Sequence, residues 1–330
     1  MKGLRSRVPG TARPFGFLSL FLFATCAPAL AQTYPSKPLR LVVPFPPGGG
    51  TDIVARVLGA KLTEAWGQPV VIEHRPGASA TLGPDLVSRS APDGYTLVLV
   101  TSTFTMTPAL QKVPYDPLRD FAPITLFAAV PNILMVHPSL PARTLADIAK
   151  LARGRPGELT YGSSGNGSVP HLATEMLRMS LPRLDIVHVP YKGNAQSLTA
   201  LLSGEISMTI TSLPSALPYM KSGRLRAVAV TTKQRSQAAP QVPTLAESGA
   251  AGYDFASEWG LLFPAKVPGE IMAKFHGELQ RTLRTADVTE KLASQGAEIV
   301  GSTPEEYAAS LRASLAKWQS VVRAANIKPN

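Results

Sequence analysis

The residues best placed for chemistry form two glycine- and hydroxyl-rich stretches, Gly48-Gly49-Gly50-Thr51-Asp52 and Ser163-Ser164-Gly165-Asn166-Gly167-Ser168. Each follows a short apolar or aromatic run (39–45 and 159–161) and opens a helical pattern. Free backbone N–H groups and hydroxyls are therefore expected at the mouth of a helix in both places. Two such mouths facing one another would clasp an anion. A single exposed helix N-terminus favours negative charge by only about 0.3–1 kcal/mol, and by more when partly buried, so the clasp requires burial between two bodies. Taken singly, each stretch also reads as an ordinary glycine-rich strand-to-helix turn.

Other chemistries find little support. No Gly-Lys-Ser/Thr follows Gly48-Gly49-Gly50, and the glycine spacing at both stretches departs from a dinucleotide-binding fingerprint, which argues against a nucleotide enzyme. The five histidines, His74, His137, His171, His188 and His276, stand singly without HxH or HExxH spacing. They read as surface or structural residues, and neither a metal nor a cofactor is expected. His171 lies in the first turns of the helix after the second stretch, where a contact with a bound anion and a structural role are both open. Gly162-Ser163-Ser164-Gly165 is one residue too short for a nucleophile elbow, so its serines are read as hydroxyl donors. An exported hydrolase using Ser164 or Ser168 with His171 is the rival reading from a different class. The pair Glu305-Glu306 falls in the first turn of the last helix, where acids suit the dipole.

The ends of the chain bound where it works. Lys2, Arg5, Arg7 and Arg13 precede an apolar run over 15–30 and the small-x-small sequence Ala29-Leu30-Ala31, the pattern of a secretory signal peptide (1–31) cleaved after Ala31. The run is shorter than the ~20 residues that span a membrane. Cys26 is the one cysteine, so cleavage removes disulfides, thiolate metal sites and cysteine nucleophiles together. A lipid anchor would retain Cys26, and Thr25 before it suits that signal poorly. The chain has 33 Lys+Arg against 22 Asp+Glu, and 29 against 22 once the four leading basic residues are gone. Export and the scattered placement of these charges argue against a nucleic-acid partner.

Periodicity predicts strands alternating with helices, hence an α/β protein with largely parallel sheets. Strands are expected at 39–45, 70–73, 95–100, 159–161, 186–189, 206–211, 225–230 and 297–300. Helices are expected at 52–66, 81–90, 145–152, 169–179, 195–202, 215–221, 271–284, 288–295 and 304–325. Two long apolar runs, 124–136 (interrupted by Pro131-Asn132) and 255–263, suggest that the chain leaves a first lobe near 127–131 and returns near 257–260. The expected division is 32–128 with 258–330 as one lobe and 129–257 as the other. Lobes joined by two crossings close like a hinge around a ligand.

Many motifs in one order then resemble the Bug family of periplasmic solute-binding proteins: Tyr34-Pro35-Ser36-Lys37-Pro38, Val43-Pro44-Phe45-Pro46-Pro47-Gly48-Gly49-Gly50-Thr51-Asp52, Arg75-Pro76-Gly77-Ala78, Ala91-Pro92-Asp93-Gly94-Tyr95-Thr96 and Pro114-Tyr115-Asp116-Pro117. Tyr161-Gly162-Ser163-Ser164-Gly165-Asn166-Gly167, Val189-Pro190-Tyr191-Lys192-Gly193, Leu213-Pro214-Ser215-Ala216 and Gly301-Ser302-Thr303-Pro304-Glu305-Glu306 extend the likeness over essentially the whole chain after residue 31. The resemblance implies a two-lobed Venus-flytrap fold of the type II periplasmic-binding-protein kind. It implies a monomeric periplasmic receptor, not an enzyme, that takes a small carboxylate and hands it to the membrane permease of a tripartite tricarboxylate transporter. A partner of a sensor protein, without a transport role, is the alternative. Carried over, the ligand-binding positions are Phe45, Pro47, Gly48, Gly49, Gly50, Thr51, Asp52, Thr101, Ser102, Ser163, Ser164, Gly165, Asn166, Gly167, Ser168, His171, Tyr191, Lys192, Gly193 and Thr211. Many relatives carry an aspartate just before Leu-Pro-Ser, where this chain reads Thr211-Ser212; a threonine cannot pair with an ammonium, which favours a ligand without one. Glu258, beside Trp259 at the return crossing, has no assigned role.

Overall fold

The computed structural model describes residues 34–327 together with Gly10. The expected signal peptide, its cleavage point and Cys26 lie outside the described residues. Two β-sheets share one long strand, β4 (Phe121–Val136). In the first sheet β1 (Leu39–Val43) runs parallel to β2 (Val70–His74) and β3 (Thr96–Thr101), after which β9 (Ala256–Pro264) and β4 continue antiparallel. In the second, β5 (Thr160–Ser163) is parallel to β6 (Val187–Pro190) and β7 (Met208–Ser212), while β4 pairs antiparallel with β7 and with β8 (Arg226–Val230). The pairing is therefore mixed, where largely parallel sheets were expected. An alternation of strands and helices announces the parallel units, but β4 and β9 arrive through connections that reverse the chain, and an apolar run carries no sign of its direction.

Strand β4 changes sheet at Pro131. Residues up to Pro131 pair with β9, with Pro131 opposite Ala256, and 132–136 pair with β7. Pro131 has no N–H to give, so the ladder can be handed over there without orphaning a donor. A buried polar knot fastens the crossing. The Asn132 N–H donates to Thr231 Oγ1 at 3.1 Å, Asn132 Nδ2 donates to Ser257 Oγ at 3.0 Å, and Thr231 Oγ1 donates to the Phe255 carbonyl at 2.7 Å. The interruption expected at Pro131-Asn132 is thus a change of partner inside one continuous strand.

Each sheet is covered on both faces, as its apolar strands require. Helix α1 (Gly50–Trp66) lays Val54, Leu58 and Leu62 on Leu39, Leu41 and Val43 of β1, with Phe275 and Leu279 of α8 (Gly269–Leu283) and Val288 and Leu292 of α9 (Ala286–Ser294) in the same cluster. Burying each of those aliphatic side chains contributes about 1.5–3 kcal/mol, far more than one N-terminal cap, so α1 can form with its mouth left open. On the other sheet α4 (Leu145–Gly154) and α5 (Val169–Ser180) bury Leu145, Ile148, Leu172 and Leu177 against Leu134, Tyr161 and Ile210. Helices α6 (Asn194–Leu202) and α7 (Leu213–Lys221) cover its far side through Leu198, Leu201, Leu213 and Ala216.

The last helix, α10 (Pro304–Ala324), serves both halves: Tyr307 and Leu311 join Val42, Val98 and Phe104, whereas Trp318 and Val321 join Leu172, Tyr253 and Phe255. Gly260 of β9 lies beneath it, and a Cβ there would overlap the Tyr307 hydroxyl. The short helix α2 (Leu82–Ser88) packs Val87 with Val42 and Val98, and a helix not expected from the sequence, α3 (Thr103–Leu110), follows β3, with Phe104 and Met106 buried. Its Thr103, Thr105, Thr107 and Pro108 are poor helix formers, and tertiary packing overrides that preference.

Candidate functional site

The carboxyl ends of β1, β3, β5 and β7 each lead into a helix, α1, α3, α5 and α7, through a loop at α1 and α5 and almost directly at α3 and α7. A cavity of about 420 Å³ collects all four starts: Gly50 opens α1, Ser102 precedes α3, Val169 opens α5 and Ser212 precedes α7. Two belong to the first sheet and two to the second, so the cleft lies where the halves of the fold meet. In none of the four does an N-cap side chain accept an N–H of its own helix: α1 has Gly49 as its N-cap, and Ser212 Oγ meets only the Ser215 hydroxyl of α7. Apart from the Thr103 N–H, which donates to Thr101 Oγ1 at 3.4 Å, and Pro170 and Pro214, which have no N–H, the first N–H groups of those helices are left to whatever occupies the mouth.

Hydroxyls and amides complete the lining. Thr101 Oγ1 lies 2.9 Å from Thr103 Oγ1, and Ser212 Oγ lies 2.8 Å from Ser215 Oγ. Ser102 Oγ accepts the Glu258 N–H at 2.9 Å, tying the start of α3 to the crossing strand β9. Ser257, Glu258, Trp259 and Gln295, with Val130, Pro214 and Ser294, form the rest of the wall. Burial pushes the Glu258 carboxyl above its ordinary range; Lys317 opposes the shift and Asp254 reinforces it.

Of the positions expected from the sequence, Gly50, Thr101 and Ser102 line this cleft. Phe45, Asn166, Gly167 and Ser168 line a neighbouring cavity of about 470 Å³, together with Thr103, Thr107 and Leu110 of α3. Pro47, Gly48 and Gly49 form the exposed loop before α1, and Thr51 lies half-buried in its first turn. Asp52 turns back along its own helix: it accepts the Gly48 N–H at 2.8 Å and pairs with Arg56 at 3.0 Å and His74 at 3.1 Å. Burial alone raises its carboxyl, and Gly48, Arg56 and His74 together outweigh that and hold it below the ordinary range. Ser163, Ser164 and Gly165 form the turn before α5, where Ser163 Oγ accepts the Gly165 N–H at 3.1 Å. His171 lines a third cavity, of about 380 Å³, behind that turn. The Tyr191 hydroxyl donates to Glu205 at 2.9 Å, the Lys192 N–H donates to Gln196 at 2.9 Å, and Gly193 precedes α6; none of the three borders the cleft. Thr211 is buried in β7, its hydroxyl without a hydrogen-bond partner among the described residues.

Ser212, Pro214, Ser215, Ser257, Trp259 and Gln295 line the cleft without being among the expected positions. Leu213-Pro214-Ser215 stood out as a motif, and a serine before a proline-opened helix is itself an N-terminus signal. Gln295 closes α9 and gives no local sign of facing Gly50, yet a Cβ on Gly50 would lie 3.2 Å from its Oε1.

Known proteins resemble the chain over most of its length. The family model described as the tripartite tricarboxylate transporter family receptor (TctC) matches residues 54–327. Protein BugT of Bordetella pertussis is 35% identical over 306 residues, 92% of this chain and 93% of that protein. A Rhodopseudomonas palustris protein whose structure was determined with adipate is 38% identical, covering 90% of this chain and 100% of that one, with a TM-score of 0.74. MatC from the same organism, determined with bound malate, is 31% identical over 88% of this chain and 100% of that one, with a TM-score of 0.71. The two-lobed periplasmic-binding-protein fold, the cleft between its halves and these likenesses lead to one conclusion: the chain belongs to the Bug/TctC family of tripartite tricarboxylate transporter receptors.

Proposed function

We propose that this protein is an exported periplasmic receptor that binds a small organic carboxylate in the 420 Å³ cleft and delivers it to a tripartite tricarboxylate-type permease, with no catalytic turnover. One observation carries the reading: four helix N-termini, none closed by its own cap, converge on a single cavity. A mouth of this kind favours negative charge, and the effect grows as burial removes water. Thr101, Ser102, Ser212 and Ser215 supply the hydroxyls to complete a carboxylate's hydrogen bonds. The adipate and malate bound by the relatives support a carboxylate as the chemical class. With no aspartate ahead of α7, the favoured ligand carries no ammonium.

The test is a melting-temperature screen of protein unfolded and refolded to strip endogenous ligand. A ligand present at a hundred times its dissociation constant adds about 2.7 kcal/mol, seen as a shift of several degrees. Adipate, malate and succinate are expected to include stabilisers, and their diamides are expected to do nothing. A screen of mono-, di- and tricarboxylates in which no acid moved the melt would overturn the assignment.

A further inference from the structure

The turn at 163–168 is held from behind by two stacked imidazoles. The rings of His171 and His188 lie face to face, centroids 3.9 Å apart and 11° from parallel, with Tyr161 stacked on His188 at 4.9 Å. The Gly167 N–H donates to His171 Nδ1 at 2.9 Å, so Nδ1 is an acceptor and the ring proton belongs on Nε2. His188 Nε2 lies 2.6 Å from Ser163 Oγ, the hydroxyl that also accepts the Gly165 N–H. At the other end of the turn the Ser168 hydroxyl donates to the Gly165 carbonyl at 2.6 Å. Asn166, Gly167 and Ser168 face the 470 Å³ cavity, and the next residue, Val169, faces the 420 Å³ cleft.

We infer that His171, braced by His188, is a positioning residue for ligand binding: as a neutral acceptor it fixes Gly167 and with it the mouth of α5, so that affinity for a carboxylate falls on acidification. This rests on the receptor reading given above, since it concerns the same mouth. A proton placed on Nδ1 removes the acceptor that Gly167 uses and sets two N–H groups against each other. It also puts a positive charge against the ring of His188. The charged and titratable groups facing the pair are Glu175 and Arg178 of α5 and Tyr161 of β5, while the end of α10 contributes only Ala325, Asn326 and Ile327. Glu175 already accepts the Tyr161 hydroxyl at 2.5 Å and Arg178 at 2.9 and 3.0 Å, which leaves it poorly placed to neutralise an imidazolium.

The electrostatics agree in sign. Burial pushes the His171 imidazole below its usual 6.5, against Glu175 and with help from Arg178. Burial and then His171 push His188 down to about 4, against Glu175. Both rings are neutral in the folded protein at neutral pH and take up protons more readily once the packing is released. The contribution of His188 is therefore complete above about pH 6.5 and is lost as the pH falls through about 4, and that of His171 is likewise lost on acidification below 6.5.

Two measurements on the full mature chain test the inference. In ligand-free protein, the Gly167 amide resonance is expected to shift with the same midpoint as the His171 ring; an amide that stays put while the ring titrates overturns it. Adipate affinity is then measured from neutral pH down to about pH 4.5 for wild type, His171→Asn and His171→Leu. The asparagine keeps an oxygen acceptor and cannot titrate here, so it should bind better than the leucine variant and show a pH profile several-fold flatter than wild type. Protonation of adipate itself affects all three alike and cancels in the ratio. Equal profiles for wild type and His171→Asn, or equal affinities for the two variants, would overturn the inference. If adipate, malate and succinate all failed to bind wild type at neutral pH, the receptor reading would fail on its own, and the amide titration would still judge the role of His171.

Discussion

Helices α4 and α10 begin in the opposite way from the four that meet at the cleft. Thr144 Oγ1 accepts the Asp147 N–H at 3.1 Å while Asp147 Oδ2 accepts the Thr144 N–H at 2.9 Å, and Thr303 and Glu306 repeat the exchange at 3.2 and 2.8 Å. Those boxes satisfy the first donors within the helix itself. Helices α1, α3, α5 and α7 make no such bond, although Ser102, Ser168 and Ser212 at their starts are residues that could. The serines turn elsewhere: Ser102 to β9, Ser168 to Gly165 and Ser212 to Ser215. Helices α2, α6, α8 and α9 also start without a side-chain cap, so it is the convergence of four uncapped starts on one cavity, and not the missing cap alone, that sets the cleft apart. Open mouths are tolerable because each such helix is anchored by buried apolar side chains along its length.

The harshest way to break this contrast is to close one of the open mouths with charge. Ser212→Asp places a good N-cap on α7 and a carboxylate in the cleft together. A bound anion about 5 Å away would be opposed by about 3 kcal/mol at an effective dielectric constant of about 20, roughly a hundredfold in affinity. The melting temperature of the ligand-free protein should hold or rise, because Asp caps as well as Ser. Calorimetric titration with adipate reads the first effect and differential scanning the second. Undiminished affinity in this variant would mean that α7 does not face the ligand.

A gentler disturbance acts on how closely the halves approach. Gly296, in the turn after α9, has φ +65° and touches Pro214 of α7 so closely that a Cβ would overlap the proline ring. Gly296→Val should cost about 1 kcal/mol in backbone strain and hold the cleft partly open, lowering affinity on the order of tenfold. Small-angle scattering should show wild type contracting on addition of adipate and the variant contracting less. Full contraction in the variant would show that Gly296 and Pro214 do not limit closure.

Removing a closed cap should do the reverse. Thr303→Ala is expected to lower stability by about 1 kcal/mol, and Thr144→Ala by a similar amount, with adipate affinity unaltered in both. Denaturant midpoints at constant m-value measure the loss. A change in affinity would tie the distal helices to the cleft and blur the distinction.

Half of this division is expected from the sequence, the open starts of α1 and α5; the capped starts are not among the expectations, although their signs are local. The boxes Thr144-Leu145-Ala146-Asp147 and Thr303-Pro304-Glu305-Glu306 are local signatures, and the glycine and serine stretches before α1 and α5 announce unusual helix starts. What local pattern cannot convey is which starts converge. Gly50 and Gln295 lie at opposite ends of the chain, and only the antiparallel insertion of β9 beside β3 brings α9 to the mouth of α1. The helix α3 escaped because its threonines and Pro108 argue against a helix, while the packing of Phe104 against Tyr115 and Phe121 decides for one. Thr211 was placed in the site by resemblance, from its position just before Leu213-Pro214-Ser215. In a strand, neighbouring side chains face opposite ways, so Ser212 borders the cleft and Thr211 does not.

Thr211 therefore offers the finest test of where the site ends. Its hydroxyl is buried and has no partner among the described residues, a condition that costs the folded state about 1–3 kcal/mol relative to a satisfied group. Valine has the same shape without the hydroxyl, so Thr211→Val should be neutral or stabilising by up to ~1 kcal/mol, a rise in melting temperature on the order of 2 °C. Because Thr211 is absent from the cleft wall, adipate affinity should stay within a factor of about two of wild type. A tenfold loss without a change in melting temperature would mean that the hydroxyl reaches the ligand in the closed form. The anion site would then extend inward along β7, past the mouth of α7, and the four helix starts would be only its outer wall.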